Sequence, residues 1–266
     1  MDYKEREIIT EQANNFWDSF TEEIICKNRF FPNHPITEFI KGYAGTHKTV
    51  LSKGTLLYRA RNIDISSSST DSLGIVKYIH GQDFGEFEGF DEQNSFAPPS
   101  NAASAGRINP ERIVYLYTAC EVITAIAETR PKLLDQISVA KIQLLQDITL
   151  VDLRPNYNND SIDFSSELIR NITTAFSRPC KNELEYIPTQ FISEYIKSLG
   201  YDGVLFQSSF NIHGTNVTLF YPNMAKAIAS TIYRMDDITY RARRILPRNS
   251  LESFEIIATN KEESRI

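Results

Sequence analysis

Cysteine is scarce. Cys26, Cys120 and Cys180 are odd in number and far apart, which excludes a disulfide scaffold and fits buried thiols in a reducing cytoplasm. Together with His34, His47, His80 and His213 they make no metal-ligand spacing, so a structural zinc is excluded. No stretch approaches the roughly 18 apolar residues that cross a bilayer. The opening run, Met1 to Glu7, is too polar for a signal peptide. Positive charge is not in excess. With a net charge of −6, no global basic field exists to hold nucleic acid by its phosphates. There is no internal repeat, no Ser–His–Asp set and no phosphate-binding glycine loop. Gly85 to Gly89 follows no clear strand and opens no helix, so it is not a dinucleotide fingerprint.

What is present is a core. The chain has 266 residues and 41% hydrophobic residues, enough for one large or two small domains. Ile9, Ala13, Phe16, Trp17, Phe20, Ile24 and Ile25 recur at helical spacing and predict an amphipathic helix over 5–27. A second short helix is expected from Ile36 to Tyr43, ended by Gly42 or Gly45. Thr55 to Arg61 reads as the first strand of the main domain. The stretch from Asn62 to Gly106 is long and irregular, the kind of segment that often serves as a lid. Strands are expected over 139–145, 148–153, 204–207, 217–221 and 228–233. Helices are expected from an Asp163 cap to Phe176, and from Pro188 to a stop at Gly200. Strands with helices between them make an α+β fold.

The remainder is organised around Gly106 to Pro131, GRINPERIVYLYTACEVITAIAETRP. Gly106 and Asn109-Pro110 make a turn. Ile113 to Tyr117, β-branched and aromatic, reads as a short buried strand. Thr118 to Glu121 fits a capping box, and the helix it opens must stop near Pro131. Glu128 falls on that helix beside Ala125, Ile126 and Ala127. A part-buried carboxylate is expected there, either in a salt bridge to Arg130 or Arg178 or with a chemical role.

GRINP, Tyr-Leu-Tyr and TAIAETRP together resemble the RES domain, named for an arginine, a glutamate and a serine. The arginine segment resembles Tyr58-Arg59-Ala60-Arg61 and the serine segment Gly200 to Ser209. The resemblance spans about residues 51 to 225. It implies three regions: a helical N-terminal extension (1–50), a RES catalytic domain (51–230) and a C-terminal segment (231–266). The implied fold is an ADP-ribosyltransferase-like split antiparallel sheet with inserted helices and a cleft between its halves. The implied activity is that of a toxin-like enzyme cleaving NAD at the nicotinamide–ribose bond, by hydrolysis or phosphorolysis. NAD is then a substrate and no cofactor is needed. Transfer of ADP-ribose to a protein or nucleic acid, and a non-enzymatic module with a decayed site, are the alternatives.

The chemistry accounts for the residue types. That bond breaks through an oxocarbenium-like transition state, which a fixed carboxylate stabilises. Glu128 is assigned that role. A bidentate guanidinium suits a diphosphate, and Arg59 is assigned to it, with Arg61 as the fallback on the same strand face. The resemblance makes Tyr117 a wall of the nicotinamide pocket, and Ser208 a hydroxyl holding a ribose or the Glu128 carboxylate. Glu128, Arg59, Ser208 and Tyr117 are the expected catalytic residues. Arg61, Arg107, Asn109, Tyr115 and Asn216 are the expected substrate-binding residues. Ile108 stands where the family often has tryptophan. The resemblance also implies a helix-turn-helix (Xre-type) antitoxin as partner. No membrane or direct nucleic-acid partner is expected, and homo-oligomerisation is left open.

Overall fold

In a computed structural model the described residues are 3–63, 86–154, 163–178 and 182–239, with the backbone of 242–243 and 256–257. The Ser66–Thr70 run, the segment from His80 to Phe84, Cys180 and the tail from Asn260 lie outside them. Helix α1 (Tyr3–Glu22) continues into one π turn over Glu23–Lys27, and α2 (Ile36–Thr46) follows. Both glycines expected to end α2 lie inside it. A helical glycine costs only about 1 kcal/mol and is not by itself a stop. Ile36, Ile40 and Ala44, four apart, form its buried stripe. The buried face of α1 packs on α5 (Phe164–Ser177), and α2 on α6 (Ile187–Ser198). Phe20, Ile24, Ile36 and Ile40 share one apolar cluster with Leu168, Ile172, Phe176 and Ile192. The buried faces of α1 and α2 thus share the main core.

Strands β1 (Lys48–Leu51), β2 (Leu56–Asn62), β3 (Leu116–Ala119), β4 (Gln136–Leu144), β5 (Ile148–Asp152), β6 (Gly203–Gln207), β7 (Thr215–Leu219) and β8 (Ala225–Arg234) form one sheet, ordered β1-β5-β6-β7-β3-β2-β4-β8. Every neighbouring pair is antiparallel except β5–β6. Those two are joined by the α5–α6 crossover, the long connection a parallel pair requires. Alternation divides the strands between two cores. Val204 and Phe206 face the helices, whereas Leu205, Val217 and Leu219 face a second cluster with Leu57, Ile142 and Leu150. Between β2 and β3, α3 (Glu92–Ser95) packs on β2, β4 and β8, Phe96 and Ala97 beyond it cover the second cluster, and a 3-10 turn (Ser100–Ala102) follows. Phe90 N–H donates to Ser138 Oγ at 2.9 Å and Gly89 N–H to Ser230 Oγ at 3.0 Å, pinning that segment to β4 and β8. The expected Asp163 cap forms, accepting from Ser166 N–H at 2.8 Å. Gly200 has φ +89, a left-handed helix stop suited to glycine.

The sheet is split in the middle. Strand β2 makes seven register pairs with β4 but one with β3, Tyr58 opposite Ala119. Continuing that register would set Ala60 opposite Tyr117, yet no pair forms there. The Tyr117 carbonyl accepts from Arg59 Nη1 instead, at 2.9 Å. The strands part at this point, and helix α4 (Val122–Glu128) packs beside the opening.

Candidate active site

The parted strands open into a cavity of about 360 Å³. Tyr58, Arg59 and Ala60 line it from β2, and Tyr117, Thr118 and Ala119 from β3. Asn216 and Thr218 line it from β7, Glu128 from α4, and Gly106, Arg107 and Ile108 from the turn before β3. Its charged side chains are Arg59, Arg107, Arg130 and Glu128. Three guanidinium groups against one carboxylate, in an acidic protein, favour an anionic ligand.

Glu128 is the last residue of α4 and is exposed at the cleft, not part-buried as its apolar neighbours predict. The helix ends there, so the side chain leaves the core. Its Oε1 accepts from Ser208 Oγ at 2.7 Å and from Asn216 Nδ2 at 2.6 Å. Both donors are neutral, so the carboxylate is oriented without losing its charge to a cation, and the expected bridge to Arg130 does not form. Ser208 is buried and off the cavity lining. Its hydroxyl accepts from Phe210 and Asn211 N–H, each at 3.1 Å, and gives its proton to Glu128. Ser208 therefore positions the carboxylate. Ser209 turns away to the Ser177 carbonyl.

The capping box does not form. Thr118 belongs to β3 and donates to the Val217 carbonyl at 2.9 Å. Glu121 is the helix cap residue but makes no capping bond through its side chain. Its Oε2 accepts from Thr124 Oγ1 at 2.7 Å and Thr215 N–H at 3.1 Å, fastening α4 to β7 instead.

Arg59 is half-buried on the cavity floor, with one prong on Tyr117. Burial, then the neighbouring Arg61, lowers its pKa to about 10, so it stays charged at neutral pH. Its Nε and the Thr218 Oγ1 are buried without a hydrogen-bond partner among the described residues. A buried unpaired polar atom costs about 1–3 kcal/mol, and two on one cavity lining suit a ligand that supplies partners. Thr218 was not expected from sequence. The β7 alternation that puts Val217 and Leu219 in the core is the signal that turns Asn216 and Thr218 towards the cleft.

Tyr117 lines the cavity and donates to Asn109 Oδ1 at 2.6 Å, while accepting from Ile108 N–H at 3.2 Å. Burial raises its pKa to about 12, which keeps it protonated. A Cβ on Gly106 would stand 2.8 Å from both Tyr117 Oη and Asn109 Oδ1, so this turn requires glycine.

Three expected substrate-binding residues lie elsewhere. Asn109 is buried, and its amide donates to the Ser104, Pro110 and Ile113 carbonyls at 3.0, 3.0 and 2.9 Å. It clamps the turn and takes the Ile113 carbonyl, and β3 begins at Leu116 and not at Ile113. Tyr115 is buried beneath α6, donating to Glu194, with the Lys197 ammonium 4.8 Å from its ring centroid. Arg61 reaches away to the Asn94 carbonyl. Arg107 does line the cavity, tethered to the Phe176 carbonyl at 3.1 Å. No group of three or more His, Cys, Asp or Glu that could hold a metal occurs among the described residues. No helix among them is long and apolar enough to cross a membrane.

Comparison with curated proteins gives no match. Among solved structures, the chain is similar to one in the crystal structure of the M. tuberculosis MbcT–MbcA toxin–antitoxin complex. The TM-score is 0.38 and the identity 11%, over 76% of this chain and 93% of that one. The family model described as RES domain matches residues 79–242, more than half of the sequence and including Tyr117, Glu128, Ser208 and Asn216. With that match over β3, α4, β7 and the held carboxylate, and with β2 and Arg59 lying before it, the chain belongs to the RES domain family.

Proposed function

We propose that this protein cleaves NAD at the nicotinamide–ribose bond and acts as a toxin by depleting the cellular pool. The observation that carries the reading is Glu128: an exposed carboxylate fixed by two neutral donors at the edge of a cleft carrying three arginines. In the proposed reaction the bond from ribose C1′ to the pyridinium nitrogen breaks, and its electron pair stays on nitrogen. Nicotinamide leaves neutral and needs no acid. Positive charge grows on the ribose, where the fixed Glu128 charge stabilises it more than it stabilises bound substrate. The oxygen of water or phosphate then bonds to C1′ and gives up a proton, which the carboxylate can take. Arg59 meets the diphosphate, and the Tyr117 ring walls the leaving group.

Expression in growing cells tests the reading. NAD should fall and growth should stop, and a partner protein that occludes the cleft, as expected of an antitoxin, should relieve both. Abundant folded protein with constant NAD and normal growth would overturn it.

A further inference from the structure

We propose that Arg130 is a second phosphate-binding residue of this cleft, taking the diphosphate at its mouth while Arg59 holds it from the floor. The proposal rests on the NAD reading above for the identity of the substrate, but not for the phosphate contact itself.

Arg130 lines the cavity, is exposed, and follows Glu128 by two residues. Its φ is +50, a left-handed backbone that L side chains adopt reluctantly. The position is the cap beyond α4, where the Arg130 N–H donates to the Ala127 carbonyl at 3.1 Å. Helices commonly place glycine there. This chain holds an arginine in that strained conformation, at the edge of its candidate site.

The guanidinium is also fixed in direction. It lies 4.7 Å from the centroid of the Phe210 ring, an attractive cation–π geometry. Phe210 N–H donates to Ser208 Oγ, the hydroxyl that donates to Glu128. One serine therefore sets both the carboxylate and the platform beneath the cation, which keeps the two in register.

Its hydrogen-bonding capacity is unspent. Arg59 gives a prong to Tyr117 and Arg107 one to Phe176. Among the described residues, no salt bridge and no side-chain hydrogen bond involves Arg130. A planar group of five N–H donors, held at a cleft mouth, matches the oxygens of a phosphate.

The test compares wild type, Arg130→Gly and Arg130→Lys, with NAD as substrate and ADP, which has no reacting bond, as competing ligand. Loss of one solvent-facing charged contact predicts that KM for NAD and Kd for ADP each rise about tenfold in Arg130→Gly. Turnover at saturation should stay within about twofold, because the contact is made before the transition state as well as in it. The lysine should recover part of the affinity. Glycine suits the left-handed backbone, so its thermal midpoint should be unchanged or higher. ADP affinity equal in all three proteins would overturn the proposal, as would a midpoint in Arg130→Gly lower by several degrees. Wild type that leaves NAD intact yet binds ADP in an Arg130-dependent way would refute NAD cleavage and uphold the phosphate site. Failure of the wild type to bind ADP at all would likewise overturn the phosphate site, while NAD cleavage is decided by the products formed from NAD.

Discussion

Replacing Glu128 by glutamine separates charge from shape. Oε1 accepts both structural hydrogen bonds, at 2.7 Å from Ser208 and 2.6 Å from Asn216. A glutamine carbonyl oxygen can accept the same two bonds, leaving its NH2 towards the cleft. The residue is exposed and, among the described residues, pairs with no cation, so no buried ion is stranded by the change. Stability should shift by about 1 kcal/mol or less, the difference between charged and neutral acceptors at a solvated site. Turnover should fall far more. Losing one preorganised electrostatic contact to the developing charge costs about 3–4 kcal/mol, roughly a hundred- to a thousandfold in kcat. Affinity for ADP-ribose should change little, since that ligand carries no oxocarbenium charge. The assay pairs NAD turnover with thermal midpoints measured with and without ADP-ribose. A variant that turns over normally would make Glu128 structural and refute the mechanism.

Thr218→Val removes a buried hydroxyl that has no partner among the described residues. The thermal midpoint should hold or rise while KM for NAD rises about tenfold; a large drop in midpoint would mean the hydroxyl has a structural role. Ser208→Ala strips three hydrogen bonds from the Glu128 support. It should cost about 1–3 kcal/mol of stability and lower kcat, whereas Ser209→Ala should spare kcat. Arg59 has its pKa depressed to about 10 because burial penalises the charged form. Its cation therefore survives at neutral pH and is lost earlier than a free arginine's as pH rises. ADP-ribose affinity should stay flat from about pH 6 to about pH 9 and weaken above about pH 10. A decline already complete by about pH 8 would exclude Arg59 as the anchor.

Much of this site was legible in the sequence because its parts are local. The acidic residue before Pro131, the arginine of a β-branching-poor but alternating strand and the serine at a strand end each carry a short signal. Glu128, Arg59 and Tyr117 come together at the cleft, with Ser208 behind them. What failed was local logic overridden by tertiary contacts. Thr118 and Glu121 satisfy the capping-box pattern, yet their side chains bond to β7. Ile113 to Tyr115 satisfy the strand pattern, yet the Asn109 amide takes the Ile113 carbonyl and β3 begins only at Leu116. Edge strand β1 was missed because four half-exposed residues carry little periodicity. The split of the sheet rests on a pairing that does not form between Ala60 and Tyr117, and no feature of either strand alone announces it. Thr218 shows a related limit: alternation with Val217 and Leu219 gives its face, but a threonine in a strand reads as packing until the cleft beside it is known.

The most direct test of the central claim is to incubate purified, partner-free wild type with NAD, with and without inorganic phosphate, and identify the products by mass spectrometry. The account predicts stoichiometric free nicotinamide. It is accompanied by ADP-ribose if water is the acceptor and by its phosphorylated form if phosphate is. Intact NAD after prolonged incubation with folded protein would contradict it.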